Sequence, residues 1–262
     1  MSDDSSLLPG QCLRGRGADS NRAGRFEATT VVAHDDGWDI AEEEHLIRTE
    51  VRLERPRSAL TYNRSPDLPF DRSINPYRGC EHGCIYCYAR PSHAYFNLSP
   101  GLDFETRLIA RPGIAAVLET ELRRPAYRAQ PIAIGTNTDP YQPVEREHGL
   151  MRDILGVLQA FRHPVWITTR GTTVERDIDL IAPMAADGLA AVSISITTLD
   201  DALARKMEPR APSPQRRLQM IRQLSNAGIP VRIQVSPLIP ALTDHELEAV
   251  MQAGRDAGAA YA

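Results

Sequence analysis

Three cysteines, Cys80, Cys84 and Cys87, lie within eight residues in the stretch RGCEHGCIYCYAR, and the remaining one, Cys12, sits in a polar N-terminal tail. Spacings of four and three residues put the three thiols within reach of one small inorganic body. Two bodies suit them: a tetrahedral zinc, with His82 or His93 completing a Cys3His set, or an iron–sulfur cube. Structural zinc sites more often split their ligands into two pairs, which a single loop does not do. A [4Fe–4S] cube held by three thiolates leaves one iron without a protein ligand. That iron is an open position, by the logic that keeps a vacant site on catalytic zinc.

Such a loop needs a scaffold, and the chain downstream of it supplies a regular alternation. Helical patterns cover 112–124, 146–162, 174–186, 213–227 and 244–258. Between them lie the β-type runs 131–137, 164–169, 189–197 and 229–237. Strand–helix units at this spacing predict an α/β fold with a parallel sheet and right-handed crossovers. In AVSISIT, Val192, Ile194 and Ile196 alternate with Ser193, Ser195 and Thr197; in VRIQVS, Val231, Ile233 and Val235 alternate with Arg232, Gln234 and Ser236. A parallel sheet covered on both faces reads apolar throughout, so one polar face predicts a barrel-like sheet with a hydrated lumen. Chemistry in such barrels sits at the carboxyl ends of the strands, which here carry TNTD, TTRG, SITT and SPLIP.

Bulk properties bound the function. The chain has 262 residues and 42% hydrophobic content, enough for one sizeable core. No apolar run reaches the ~18 residues of a membrane span, and the start is acidic rather than secretory. A cytoplasmic, reducing location follows as the expectation, and there clustered cysteines mean metal or redox chemistry. A net charge of −4 argues against a surface coated for nucleic acid. Lys206 is the sole lysine, and the scattered arginines that replace the rest read as codon bias rather than as a phosphate site. Residues 1–45 read as a mostly disordered polar tail and 46–262 as the main domain. The last helical pattern runs into the end of the sequence where another strand should begin, so either a partner or the N-terminal segment covers the exposed sheet edge or the domain is C-terminally truncated.

The motifs together resemble a known family. CEHGCIYC is similar to the CxxxCxxC motif of radical S-adenosylmethionine (SAM) enzymes. SINPYRGCEHGCIYCYARPSHAYFNLSPGLDFET, GTNTDPYQPVE, EPRAPSP and SPLIPALTD resemble the branch of that superfamily near spore photoproduct lyase. The resemblance implies a partial (β/α)6 TIM-like barrel, here lacking its last strand. It implies a [4Fe–4S] cluster on Cys80, Cys84 and Cys87, with SAM bound to the fourth iron. One electron then cleaves SAM to methionine and a 5′-deoxyadenosyl radical, which abstracts hydrogen from a substrate. A flavodoxin- or ferredoxin-type electron donor is the expected partner, with nucleic acid a substrate by family analogy alone.

The resemblance also places further residues. Thr138 and Asp139 stand where the family binds the SAM amine; the competing reading is that Asp139 caps the turn before Pro140. Arg170 stands where relatives commonly have lysine and would pair with the SAM carboxylate. Ser195 corresponds to a serine that completes carboxylate or ribose binding, and Arg210 is either a further anion contact or a solvated arginine. Tyr86 and Tyr88, flanking Cys87, match tyrosines of the lyase hydrogen-transfer path, with Tyr86 also at the cofactor. The lyase returns hydrogen from a cysteine in the stretch matching GTNTD. Gly135, Thr136 and Asn137 stand here instead, so a substrate other than the spore thymine dimer is expected. The alternative is a zinc-stabilised binding module without catalysis.

Overall fold

Alternating apolar residues organise the central sheet and decide which face the helices cover. The computed structural model describes residues 15–21 and 48–262. Its elements begin with strands β1 (Glu50–Leu53), β2 (Thr61–Tyr62), β3 (Arg72–Ile74) and β4 (Tyr77–Arg78). The cysteine loop follows, then a 3₁₀ segment Arg90–Phe96, helix α1 (Asp103–Thr106), strand β5 (Arg107–Ala110) and helix α2 (Ile114–Leu122). The regular part continues with β6 (Ile132–Ile134), α3 (Glu145–His148), α4 (Leu150–Ala160), β7 (Val165–Thr169) and α5 (Ile178–Ala186). It closes with β8 (Ala190–Ser195), α6 (Asp201–Met207), α7 (Pro214–Asn226), β9 (Val231–Gln234) and α8 (Leu247–Asp256).

A six-stranded sheet runs in the order β2-β3-β6-β7-β8-β9, parallel throughout except for β2 against β3. A small side sheet, β1-β5-β4, flanks the cysteine loop. Ile132, Ile134, Val165, Ile167, Val192 and Ile194 are buried in one continuous core with Leu118, Ile154, Leu158, Ile181 and Leu224 of the helices. Burying an aliphatic side chain contributes roughly 1.5–3 kcal/mol, so this layer carries much of the stability. Caps fix where its helices start. Ser213 accepts from Arg216 N–H ahead of Pro214 in α7, and Asp200 accepts from Ala202 and Leu203 N–H in α6.

Several sequence expectations change in detail. The pattern over 146–162 is two helices, because Gly149 turns left-handed (φ 63°) between α3 and α4. The pattern over 174–186 begins as a 3₁₀ segment, Thr172–Asp177, and that over 244–258 begins likewise at Asp244–Glu246. Helix α6 and the side sheet escape the sequence pattern because they are short. Beyond β9 a single parallel bridge joins Arg232 and Tyr261, with Ile233 N–H donating to Tyr261 O at 2.9 Å. Strand pairing therefore resumes at Tyr261, where the sequence pattern leaves the last strand missing.

The tail reading also changes over its described part. Residues 15–21 are docked, with Leu102 N–H donating to Ser20 O at 3.0 Å, because backbone groups and polar side chains rather than apolar ones attach them. The rest of 1–45 lies outside the described residues, Cys12 included. Among the described residues, no helix is long and apolar enough to cross a membrane.

Candidate functional site

The cysteine loop takes its shape from backbone bonds to distant partners, which leaves the thiols free. Cys80 N–H donates to Phe104 O (2.8 Å), and Ile85 N–H donates to Met207 O (3.0 Å). Gln142 clamps the loop entrance, accepting from Glu81 N–H at 2.9 Å and donating to Gly79 O at 3.1 Å. Arg90 holds the middle by donating to Cys84 O at 2.9 Å. All three cysteines are free thiols lining one cavity of about 320 Å³ at the carboxyl ends of β6, β7 and β8. Thr138, Asp139, Arg170 and Ser195 line the same cavity, as do Tyr86 and Tyr88. The structure thus brings together the cysteines and every cofactor or hydrogen-transfer candidate that the resemblance placed except Arg210, while His82 and His93 lie outside this cavity. That side chain pairs instead with Glu81 at 3.2 Å.

Each residue has a definite environment. Asp139 is buried and fully engaged: it accepts from Tyr141 N–H (2.9 Å), Thr169 Oγ1 (2.6 Å) and Arg170 N–H (2.8 Å), and it lies 3.3 Å from His82 Nδ1. Burial alone would raise its pKa, but His82 and Arg170 beside it hold the carboxyl well below the usual carboxylate range. Thr138 Oγ1 donates to Tyr77 O at 3.0 Å. Of the two roles open to Asp139, the geometry displays the turn-fixing one, since its bond to Tyr141 N–H closes the turn over Pro140.

Arg170 approaches the thiols directly, with Nη1 3.4 Å from Cys84 Sγ. Its Nε is buried 3.6 Å from Glu208 Oε1 and finds no hydrogen-bond partner among the described residues. Burial pushes the Cys84 thiol up to about 11, against the opposing pull of Arg170, and pushes Cys80 well up too. Buried thiols of this kind ionise only when a cation compensates them.

The residue that sequence reasoning missed is Glu208, the acid of EPRAP. It pairs with the fully buried Arg217, accepts from Tyr86 OH and takes Thr197 Oγ1 at 3.2 Å. Burial alone would raise this carboxyl, whereas Arg217 and Arg170 bring it down to about 2. No local pattern marks Glu208, because its partners converge only when β7, β8 and α7 meet. The cluster also closes part of the expected polar lumen: Ser195 and Thr197 are buried here, not hydrated. Tyr88 is the counterpart on the open side, 77% exposed, its hydroxyl donating to Thr136 O. A larger cavity of about 1120 Å³ shares Tyr88, Asn137 and Gln234 with the first and spreads over Ser73, Trp166 and Arg232.

The donor set decides what the loop can hold. Among the described residues, no group of three or more His, Cys, Asp and Glu side chains is close enough for one metal ion. His93 Nε2 lies 2.9 Å from Arg107 O with its ring edge-on to Phe104, and His82 faces Asp139. Neither histidine lines the cavity of the three cysteines. Three free thiols on one wall, beside a cation with an unfilled N–H, fit a larger cluster and an anionic ligand.

Comparison with known proteins gives an independent result. Residues 74–253 match the family model described as the radical SAM superfamily. An uncharacterized protein of Mycobacterium tuberculosis is 45% identical over 177 residues, which are 68% of this chain and 52% of that one. An uncharacterized protein of Methanocaldococcus jannaschii is 27% identical over 66% of this chain and 62% of its own. The chain thus spans about half the length of the first of these relatives. Among solved structures, a cysteine-to-serine mutant of spore photoproduct lyase aligns with a TM-score of 0.61 at 16% identity, over 79% of this chain and 57% of that one. A second mutant of that lyase, with bound AdoMet and dinucleoside spore photoproduct, aligns at 0.60 and 15% identity over the same shares. At that identity the likeness is one of fold.

Proposed function

The chain belongs to the radical SAM superfamily, and from that premise we propose that it is an enzyme cleaving SAM reductively at a [4Fe–4S] cluster held by Cys80, Cys84 and Cys87. The carrying observation is the convergence of three free thiols with Arg170 in one strand-end cavity. Such a cluster, when bound, supplies the electron that splits SAM into methionine and an adenosyl radical able to abstract hydrogen. The six-stranded sheet would then be the wall of a partial (β/α)6 barrel.

The chain's own residues have separable tasks. Arg170 offers its guanidinium to the SAM carboxylate and is held beside Cys84 by Glu208. Ser195 presents a hydroxyl to the same cavity. Asp139 and Thr138 shape the loop after β6, since their polar atoms have protein partners. Tyr86 is locked on Glu208, whereas Tyr88 stands between the two cavities, the position for a phenol that relays hydrogen. The larger cavity takes the substrate. With Gly135, Thr136 and Asn137 in place of a donor cysteine, that substrate is not the spore thymine dimer; nucleic acid of another kind rests on family analogy alone. A flavodoxin or ferredoxin in the cytoplasm is the proposed reductant.

The test is anaerobic reconstitution with iron and sulfide, reduction, and measurement of 5′-deoxyadenosine from added SAM. Cys80→Ala should lose both the cluster absorbance and the product, while Cys12→Ala keeps both. A folded chain that binds iron but yields no 5′-deoxyadenosine would refute the assignment.

A further inference from the structure

The family match begins at residue 74, yet a segment far upstream of it is bonded to Asp103 and Glu105 and packs against Gly83 of the cysteine loop. We infer that residues 15–21 form a strap that fixes the loop carrying Cys80, Cys84 and Cys87, a role that rests on the reading of those cysteines as cluster ligands.

The strap attaches at both ends. At its start, Gly17 N–H donates to Glu105 Oε2 at 2.9 Å and Arg16 Nη1 donates to Glu105 O at 3.0 Å. At its end, Asn21 and Asp103 exchange two hydrogen bonds: Asn21 Nδ2 to Asp103 Oδ1 at 3.0 Å, and Asp103 N–H to Asn21 Oδ1 at 2.9 Å. Glu105 transmits the first attachment to the cysteines. It is fully buried, and its second oxygen takes Arg90 Nη2 at 2.6 Å, the same group that donates to Cys84 O. A parallel line runs from Arg16 Nη2 to Thr49 Oγ1 (3.2 Å), whose hydroxyl donates to Glu81 Oε1 at 2.7 Å, beside Cys80.

Close approach makes the attachment specific to glycine. A Cβ on Gly17 would sit 1.7 Å from the carbonyl oxygen of Gly83, the residue before Cys84. A Cβ on Gly101 would sit 1.9 Å from Ser20 O. Backbone cannot yield by that much, so any side chain at either position displaces the strap. Its loss takes Gly17 N–H away from Glu105 and Arg16 away from Thr49, and frees the loop to open locally. Groups that orient metal ligands in this way typically change metal affinity by about 10–100-fold when lost.

The experiment uses the full chain. Hydrogen exchange on the metal-free protein should be roughly tenfold faster over 80–90 in Gly17→Val and Gly101→Val, with β7 and β8 protected as in the wild type. After reconstitution both variants should surrender iron to a chelator about 10–100-fold faster, with altered EPR line shape of the reduced cluster. Arg16→Ala should follow them, Arg16→Lys should fall between, and the exposed Asp19→Ala should match the wild type. Unchanged exchange over 80–90 in both glycine variants overturns the strap, and so does a uniform acceleration across the chain. A wild-type chain that takes up no iron refutes the proposed function, while exchange in the metal-free chain still decides the strap.

Discussion

The helix-covered face of the central sheet and the mouth at its strand ends are built from the same βα units but held by different forces. On the covered face, Ile132, Val165, Val192 and Val231 meet Ile154, Leu158 and Leu224 in a continuous apolar layer. Its contacts are many, individually weak and replaceable, so no single residue is indispensable. At the mouth, Glu208 serves Arg217, Arg170, Tyr86 and Thr197 at once, and Asp139 serves Thr169, Arg170 and Tyr141. There each charge is tolerable only because its partners are present. The layer tolerates trimming in proportion to what is removed; the mouth does not.

That contrast can be broken at its strongest point first. Glu208→Ala leaves Arg217 buried and unpaired, so urea unfolding of the metal-free chain should lose about 3–5 kcal/mol. Ile154→Ala in the covered layer should cost ~2–4 kcal/mol by cavity formation. It should leave iron uptake by the folded fraction unchanged, which separates the two regions.

Acid offers a subtler comparison. The Glu208 carboxyl lies at about 2 in the folded chain against its ordinary 4.5. A depressed folded pKa means that its stabilising contribution is complete above the ordinary value and is lost as pH falls through the folded one. Wild-type stability should therefore drop between about pH 4.5 and 2, and Glu208→Gln should flatten that limb when followed by fluorescence. The smallest effect belongs to Tyr88→Phe. The exposed hydroxyl makes a single bond to Thr136 O, so the midpoint should move by less than about 0.5 kcal/mol. A large destabilisation there would show that Tyr88 is structural rather than poised between the cavities.

The legible parts share a cause. CEHGCIYC announces its chemistry because three thiols in one loop have few other uses, and the runs at β7, β8 and β9 announce strands because side-chain alternation is a local property. The break at Gly149 and the 3₁₀ starts before α5 and α8 were not legible, since turn geometry there depends on what packs nearby. Residues 15–21 were read as part of a mostly disordered polar tail because their attachment runs through backbone groups, two glycines and the polar side chains of Arg16 and Asn21, which composition does not distinguish from solvated ones. In EPRAP the arginine drew notice, whereas the site uses the glutamate; Arg210 turns to Glu81.

By itself the sequence determined that this chain gathers three thiols on an α/β scaffold with polar strand ends, because those facts are written in spacing and periodicity. Only the tertiary structure decided which charges stand beside the thiols. Arg170 and Glu208 are 38 positions apart and become partners solely where the ends of parallel strands converge, since a buried ion is stable only with its counter-ion in reach.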